Sequence, residues 1–102
     1  MGQVKYSLQA QAKIASACAF YAALDEKLAE RAMSIITTSI DKLADHPKTG
    51  RPFLENLNYR ERVIPFGSSH FLALYRINDV GDVVVVSLRH ERELGYDMGD
   101  DT

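Results

Sequence analysis

The sequence predicts an α+β fold in which a helical hairpin packs on a small, mostly antiparallel sheet. Two observations lead to this prediction. Three β-rich segments follow one another with turns of only a few residues, and two segments with helical periodicity precede them. Turns this short join neighbouring strands antiparallel, because a parallel return needs a crossover of a dozen or more residues. With a short strand at the N-terminus, the predicted order is β-α-α-β-β-β.

The last three predicted strands cover residues 59–66, 70–77 and 82–90. The four valines of residues 83–86 are β-branched, so they fit a pleated sheet better than a helix. Strict alternation of side chains divides the last strand into two faces, Val84, Val86, Leu88 and His90 against Val83, Val85, Ser87 and Arg89. Because both faces are apolar at their centre, this strand is predicted to be central and covered on both sides.

Two helices are predicted between the first strand and the other three. Residues 4–7 predict a short edge strand, and Ser7 at its end can cap the following helix. The alanine-rich residues 8–24 carry apolar side chains at helical spacing. Asp25 predicts the N-cap of the second helix, which ends before Pro47. Helices joined this tightly form an antiparallel hairpin whose apolar stripes can cover one face of the sheet.

Size and composition indicate one domain in a reducing compartment. All 102 residues are assigned to this domain, with a disordered tail from about residue 97. The one cysteine, Cys18, cannot form an internal disulfide. The net charge of −2 gives no global nucleic-acid signature, and no apolar run approaches the ~20 residues of a membrane span. We therefore expect a cytoplasmic protein that makes no membrane contact and binds no DNA sequence directly.

Basic side chains near the strand ends are the main functional signal. The residues predicted to bind a partner or target are Arg60, Arg62, Arg76, Arg89, His90, Arg92 and Tyr96. Guanidinium groups suit this role because they recognise anions through paired hydrogen bonds. Exposed ion pairs with Glu91 or Glu93 are the structural alternative for the first two arginines. For Tyr96, packing back onto the sheet is preferred over a catalytic or stacking role.

The sequence specifies catalytic chemistry only weakly. It contains no Gly-rich phosphate loop, no His-x-x-x-His pair and no nucleophile elbow. His46, His70 and His90 lie on different predicted elements, so neither a metal site nor a cofactor is predicted. A ribonuclease would need a base, an acid and a cation that stabilises the developing charge. If the protein is a ribonuclease, Arg62, Arg89 and His90 are the candidates for these roles.

Several strings, taken in order, resemble the RelE/ParE superfamily of toxins from type II toxin–antitoxin systems. They are LADHPKTGRP at 43–52, RERVIPF at 60–66, LALYR at 72–76, and VVVV at 83–86 with RHERELGY at 89–96. The resemblance covers nearly the whole chain, and the ordered set is more specific than any single string. It implies a small bacterial toxin of the plasmid-stabilisation type, held inactive by a cognate antitoxin in a hetero-oligomer.

The resemblance also implies two branches with different targets. ParE-like members poison DNA gyrase, whereas RelE-like members cut messenger RNA in the ribosome with a basic cluster or with a Glu, an Arg and a C-terminal His and Tyr. Glu55 or Glu61, Arg62 and His90 stand at comparable places, but Tyr96 lies six residues beyond His90. The ParE-like branch, a gyrase inhibitor that is not an enzyme, is therefore favoured. A ribosome-dependent endoribonuclease and a non-toxic, antitoxin-binding relative are the alternatives.

Overall fold

The computed structural model describes residues 2–98 as two helices packed on one face of a five-stranded mixed sheet. The helices are α1 (Leu8–Ala22) and α2 (Glu26–Asp41), with the 3-10 turn Lys42–Ala44 after α2. The strands are β1 (Val4–Tyr6), β2 (Arg51–Pro52), β3 (Arg60–Phe66), β4 (Ser69–Ile77) and β5 (Val83–His90). The predicted fold class is confirmed. Within residues 2–98, neither helix is long and apolar enough to cross a membrane.

The strand order in the sheet is β1-β5-β4-β3-β2. β3, β4 and β5 form the predicted antiparallel meander, and β1 joins β5 in parallel, with Val4 opposite Val83. β5 lies between β1 and β4 and carries buried side chains on both faces, so the prediction that the last strand is central and covered on both sides is confirmed. The irregular pattern of residues 46–58 does not predict β2, a two-residue strand beside β3. Its Pro52 is tolerated because β2 lies at the edge of the sheet.

Both helices begin where the sequence predicts, because local caps fix their starts. The Ser7 hydroxyl accepts a hydrogen bond from the Ala10 N–H at 3.0 Å. The Asp25 carboxylate accepts one from the Lys27 N–H at 2.9 Å. Each contact satisfies one of the N–H groups that the first helical turn leaves without a partner. The 3-10 turn after α2 ends shortly before Pro47, as expected from the restricted backbone ahead of a proline.

The core lies between the helical hairpin and the sheet. Ile36 and Ile40 of α2 are fully buried, as is Tyr75 at the centre of β4. The remaining large side chains of this layer are Ile14, Leu43, Ile64, Phe66, Phe71, Val83, Val85 and Leu88. Burying a side chain of this size contributes ~1.5–3 kcal/mol. This layer therefore holds the hairpin on the sheet, and we call the sheet face beneath it the helix-covered face.

A β-bulge at Val86 changes which side chains of β5 face the helices. Tyr75 lies opposite Val85, but Leu74 lies opposite Ser87, so Val86 is the extra residue. The helix-covered face of β5 therefore carries Val83, Val85, Leu88 and His90, and the opposite face carries Val84, Ser87 and Arg89. The strict alternation predicted for this strand is wrong, because one inserted residue inverts the faces of all residues that follow it.

The opposite face of the sheet, here called the second face, is covered by irregular chain. The covering parts are the 53–59 loop and the C-terminal segment, residues 91–98. The rings of Phe53 and Tyr96 pack edge to face with centroids 5.8 Å apart. The Ser87 hydroxyl donates to the Asp97 carbonyl at 2.7 Å. The predicted disordered tail overlaps this segment at residues 97 and 98, and its remainder, residues 99–102, lies outside the described residues.

Asp82 ties the edge strand β1 to β5. Its carboxylate accepts a hydrogen bond from the Gln3 N–H at 2.8 Å and pairs with the Lys5 ammonium at 3.0 Å. The backbone hydrogen bond from Gln3, together with Lys5, lowers the pKa of Asp82 below its ordinary value. The parallel N-terminal strand is therefore anchored by a carboxylate that stays ionised at neutral pH.

Candidate functional site

The side chains predicted to bind a partner do not form one basic surface. Strand register and contacts place Arg60, Arg62 and His90 on the helix-covered face, and Arg76, Arg89 and Tyr96 on the second face. Arg92 is exposed just beyond the end of β5. Neighbours such as Arg89 and His90 point in opposite directions because side chains alternate along a strand. The structure thus divides the predicted residues into two groups, and their role in binding stays a prediction.

Arg60 and Arg62 hydrogen-bond to groups of the chain itself. The Arg60 guanidinium donates to the carbonyl oxygens of Lys48 and Gly50, at 3.2 and 2.9 Å. The Arg62 Nε donates to the Ser39 hydroxyl of α2 at 3.1 Å. Within residues 2–98, neither guanidinium pairs with the acidic side chains after β5 that the sequence suggested as partners. Both arginines therefore brace the fold.

The loop that follows α2 is fixed from the core by Tyr75. Its hydroxyl accepts a hydrogen bond from the Gly50 N–H at 2.9 Å and donates to the Pro47 carbonyl at 2.6 Å. Burial raises the pKa of Tyr75 above its ordinary value. Gly50 is needed here because a Cβ would collide with the Tyr75 hydroxyl. Pro47 and Gly50, which belong to the string LADHPKTGRP at 43–52, therefore have a structural role in this chain.

A polar network on the second face is centred on Glu61. Glu61 is 7% exposed, and its carboxylate accepts a hydrogen bond from the Arg51 Nε at 3.0 Å and another from the Tyr96 hydroxyl at 2.6 Å. Burial, and then Glu61, raise the pKa of Tyr96, so its hydroxyl keeps its proton. The Arg89 guanidinium lies 5.1 Å from the centre of the Tyr96 ring and donates to the Glu93 carbonyl at 2.8 Å. The expectation that Tyr96 packs back onto the sheet is confirmed.

These side chains border a groove of about 460 Å³ on the second face. Phe53, Tyr59, Tyr96 and Leu74 give it an aromatic and apolar lining. The Arg89 Nε is buried beside it without a hydrogen-bond acceptor within the described chain. A groove of this composition can take up an apolar side chain together with one hydrogen-bond acceptor.

A second groove, here called the α1 groove, has a volume of about 580 Å³. It lies between α1, the turn that joins β3 to β4, and the end of β5. Phe20 and Tyr21 of α1 and Phe71 of β4 supply its aromatic part. Its polar rim includes Lys13, Ser68, Ser69, His90, Arg92 and Glu93. The two grooves therefore sit on opposite sides of the sheet and have different polar neighbours.

His90, on the rim of the α1 groove, is held by hydrogen bonds at both ring nitrogens. The Arg92 N–H donates to Nδ1 at 3.2 Å, and Nε2 lies 3.1 Å from the Ser69 hydroxyl oxygen. Because Nδ1 is an acceptor, we assign the proton of the neutral ring to Nε2, which donates to Ser69. The ring also packs edge-on against Phe71, with centroids 5.6 Å apart. Neither nitrogen is free to take a proton from a substrate in this arrangement.

The sequence matches the family described as "ParE toxin of type II toxin-antitoxin system, parDE" over residues 4–95. The match spans both helices, every strand and most of the C-terminal segment. The chain belongs to this ParE toxin family. The resemblance to the RelE/ParE superfamily, with its ParE-like branch favoured, is therefore confirmed. No curated protein matches the sequence.

The residues named for a ribonuclease do not converge in this ParE-family chain. Arg62 contacts α2, Arg89 stacks on Tyr96 on the second face, and His90 lies on the helix-covered face. Cleavage of a phosphodiester requires its base, acid and cation around a single phosphate. Glu61, one of the two acidic candidates, already accepts hydrogen bonds from Arg51 and Tyr96. Within residues 2–98, no three His, Cys, Asp or Glu side chains are grouped as metal ligands would be.

Several features of these sites were not predicted by sequence reasoning. Glu61 and Arg51 pair only because β2 lies beside β3, and a two-residue strand leaves almost no periodic signal. Phe20 is 65% exposed and Leu24 is 68% exposed. The signal that could have found these two was a large apolar side chain among the small residues at the end of α1 and in the turn that follows it.

Proposed function

We propose that this ParE-family toxin is neutralised by a cognate antitoxin and inhibits DNA gyrase by binding to it, without catalysing a reaction. The observation that carries the proposal is the family match over residues 4–95. A toxin of a type II system implies an antitoxin partner, so the resting form is a toxin–antitoxin hetero-oligomer. Gyrase as the target follows from the ParE-like branch that the sequence favours.

The arrangement of the polar side chains supports binding over catalysis. Arg62 and Arg89 project from opposite faces of the sheet, and His90 is hydrogen-bonded at both ring nitrogens. A nuclease gains rate from groups that act together on one substrate atom, and side chains on opposite faces of a sheet cannot do so. A protein that acts by docking needs no such convergence.

Exposed apolar side chains beside both grooves supply the contact surface that docking requires. Leu94 lies on the lining of the second-face groove, and Phe20 lies on that of the α1 groove. Leu54 and Leu57 are exposed in the 53–59 loop that covers the second face. Apolar side chains grouped with polar neighbours typically mark protein-binding surfaces. Arginine is enriched at the energetic centres of such surfaces, which is consistent with Arg89 and Arg92 lying on the two groove linings.

Purified chain added to gyrase and plasmid DNA tests the target. We expect slower supercoiling and an accumulation of gyrase-linked DNA cleavage. If neither the rate of supercoiling nor the amount of gyrase-linked DNA cleavage changes, gyrase is not the target.

Transcripts mapped after induction of the chain should stay intact, whereas ribosome-dependent cuts would support the endoribonuclease. Unchanged growth after induction without antitoxin would instead identify a relative that has lost toxicity.

A charge-reversal pair tests whether the basic residues of the second face take part. Arg76→Glu changes a partly exposed guanidinium that makes no hydrogen bond within residues 2–98, so the fold should be kept. We expect weaker growth arrest or weaker antitoxin binding from this variant. Lys27→Glu, on the exposed start of α2, is the matched control because an acidic residue is tolerated near a helix N-terminus. Equal effects from both variants would show that Arg76 has no special role in growth arrest or antitoxin binding.

A further inference from the structure

We propose that Arg60 and Arg62 together bind the doubly charged phosphate group of a small phosphomonoester. Both side chains lie on the helix-covered face at the start of β3, where the end of α2 and residues 46–50 meet the sheet. Neither arginine lines the α1 groove or the second-face groove. Neither the antitoxin nor gyrase is needed for this site, so it goes beyond the proposed function.

The two guanidinium groups flank the Tyr75 hydroxyl. Side chains two residues apart on a strand point to the same face, with Cα atoms ~6.6 Å apart. In the strand register, Arg60 lies opposite Tyr75 and Arg62 lies opposite Ala73. Burial raises the pKa of Tyr75, whereas the hydrogen bond from Gly50 and then the charges of both arginines oppose that rise. The two positive charges therefore act on the same small region.

Each guanidinium is held by some of its N–H groups and keeps the others open. Nη1 of Arg60 donates to the carbonyl oxygens of Lys48 and Gly50, at 3.2 and 2.9 Å. Nε of Arg62 donates to the Ser39 hydroxyl at 3.1 Å. Within residues 2–98, Nε and Nη2 of Arg60 and both Nη nitrogens of Arg62 make no hydrogen bond. The fixed contacts orient these open donors, which lowers the entropic cost of binding a ligand.

The positive charge of this pair is not compensated within the described chain. None of the ion pairs within residues 2–98 includes Arg60 or Arg62. Both residues are half-buried, so solvent screens their charges less than it screens a fully exposed pair, yet a ligand can still reach them. Guanidinium groups match the oxygens of a phosphate through paired hydrogen bonds. Two such groups without a carboxylate are therefore complementary to a dianion.

The charge balance favours a small phosphomonoester over a nucleic acid. A phosphomonoester carries about two negative charges at neutral pH, which equals the charge of the two guanidinium groups. Binding of a nucleic acid depends on several cations that neutralise successive phosphates. The net charge of the chain is −2, and Asp41 and Asp45, just after α2, are exposed. A long polyanion would be repelled where a single phosphate group would not.

Nuclear magnetic resonance of the arginine side chains tests the site directly. The isotope-labelled intact chain is titrated with inorganic phosphate and then with phenyl phosphate, with the ionic strength held constant by sodium chloride. The Nε–Hε signals of Arg60 and Arg62 and the amide signal of Gly50 should shift. Arg76, a partly exposed arginine of the second face, is the internal control and should not respond. Absence of any shift, or equal shifts of all three arginines, would overturn the site.

Neutral variants measure the share of each guanidinium. Arg60→Gln and Arg62→Gln should each weaken binding of phenyl phosphate by about tenfold or more, because each removes charged hydrogen-bond donors. Arg76→Gln should bind like the parent. Melting curves followed by circular dichroism show whether each variant is folded. If a glutamine variant does not fold, the lysine variant at that position keeps the charge, loses the fork and should still bind more weakly. Parental affinity at both positions would contradict the proposal.

A DNA duplex without terminal phosphates distinguishes the monoester from a polymer. At equal phosphate concentration, the duplex should shift the signals of Arg60 and Arg62 less than phenyl phosphate does. Larger shifts with the duplex would assign the site to a phosphodiester backbone and overturn the proposal. Because these measurements contain neither antitoxin nor gyrase, their failure leaves the proposed function intact. Failure of the gyrase assay likewise leaves the phosphate site intact.

Discussion

The two faces of the sheet are covered by different means and held by different forces. On the helix-covered face, α1 and α2 bury a layer of aliphatic and aromatic side chains such as Ile36, Ile40 and Phe71. On the second face, the C-terminal segment is held by polar contacts of Tyr96 and Ser87 and by the stacking of Arg89. Burial of apolar surface is non-directional and insensitive to pH, whereas each polar contact depends on geometry and protonation.

The most strongly held part and the most easily perturbed part of this toxin therefore lie on opposite faces of the sheet. Apolar burial fixes the helical hairpin irrespective of pH. The C-terminal segment depends on a few hydrogen bonds, each contributing a net ~0.5–1.5 kcal/mol, or ~1.5–3 kcal/mol where one partner is charged. We therefore expect perturbations of the second face to loosen a local segment, and perturbations of the helix-covered face to unfold the chain.

The largest effect is expected from a cavity under the hairpin. Ile36→Ala removes a fully buried side chain and should lower the free energy of unfolding by ~2–5 kcal/mol. Met33→Ala, one turn earlier on α2 and 40% exposed, is the control and should cost much less. Urea denaturation followed by circular dichroism measures both. Equal losses from the two variants would contradict the assignment of the main stabilising layer to this face.

A smaller and more local effect is expected on the second face. Tyr96→Phe removes the hydroxyl that donates to the buried Glu61 carboxylate and should cost ~1–3 kcal/mol. Amide hydrogen exchange should accelerate in residues 91–98 before it accelerates in the helices. Tyr59→Phe is the control, because the Tyr59 hydroxyl makes no hydrogen bond within the described residues. Uniform acceleration over the whole chain would show that the two faces are not independent.

The pH dependence of stability should differ between the faces. The folded state holds the Tyr96 proton more tightly than the unfolded state, because burial and Glu61 raise its pKa above the ordinary 10.0. The contribution of this proton to stability is present below pH 10 and declines as pH rises toward the folded pKa. The stability difference between the parent and Tyr96→Phe should therefore narrow above pH 10. The difference between the parent and Ile36→Ala should stay constant over the same range.

The smallest effect is expected from the exposed end of the polar network. The Arg51 side chain is 57% exposed, so its pairing with Glu61 should be largely screened by solvent. Arg51→Ala should cost about 1 kcal/mol or less, and the cost should fall in 1 M salt, where the Debye length is ~3 Å. Lys48→Ala, three residues before Arg51 and also exposed, is the matched control. A salt-independent loss above that of Tyr96→Phe would mean that Arg51 rather than Tyr96 holds the network together.

Local sequence signals predicted the fold well and the sites only in part. The caps at Ser7 and Asp25 act within one helical turn, so the helix starts were predicted correctly. The bulge at Val86 was not predicted, because a run of four valines places the same apolar side chain on both faces of the strand whether or not a residue is inserted. The residues chosen for binding all lie near strand ends or beyond β5, as expected. Their division between two faces depended on register, which alternation alone cannot give.

The sequence by itself determined the number and order of the main elements and the apolar face of α2, since each follows from periodicity and turn length. Only the tertiary structure decided that Tyr96 meets Glu61 and that the α1 groove forms. The first contact joins residues 35 positions apart, and the groove is shared by a helix, a turn and a strand end. Such contacts depend on packing between elements, so no local pattern encodes them.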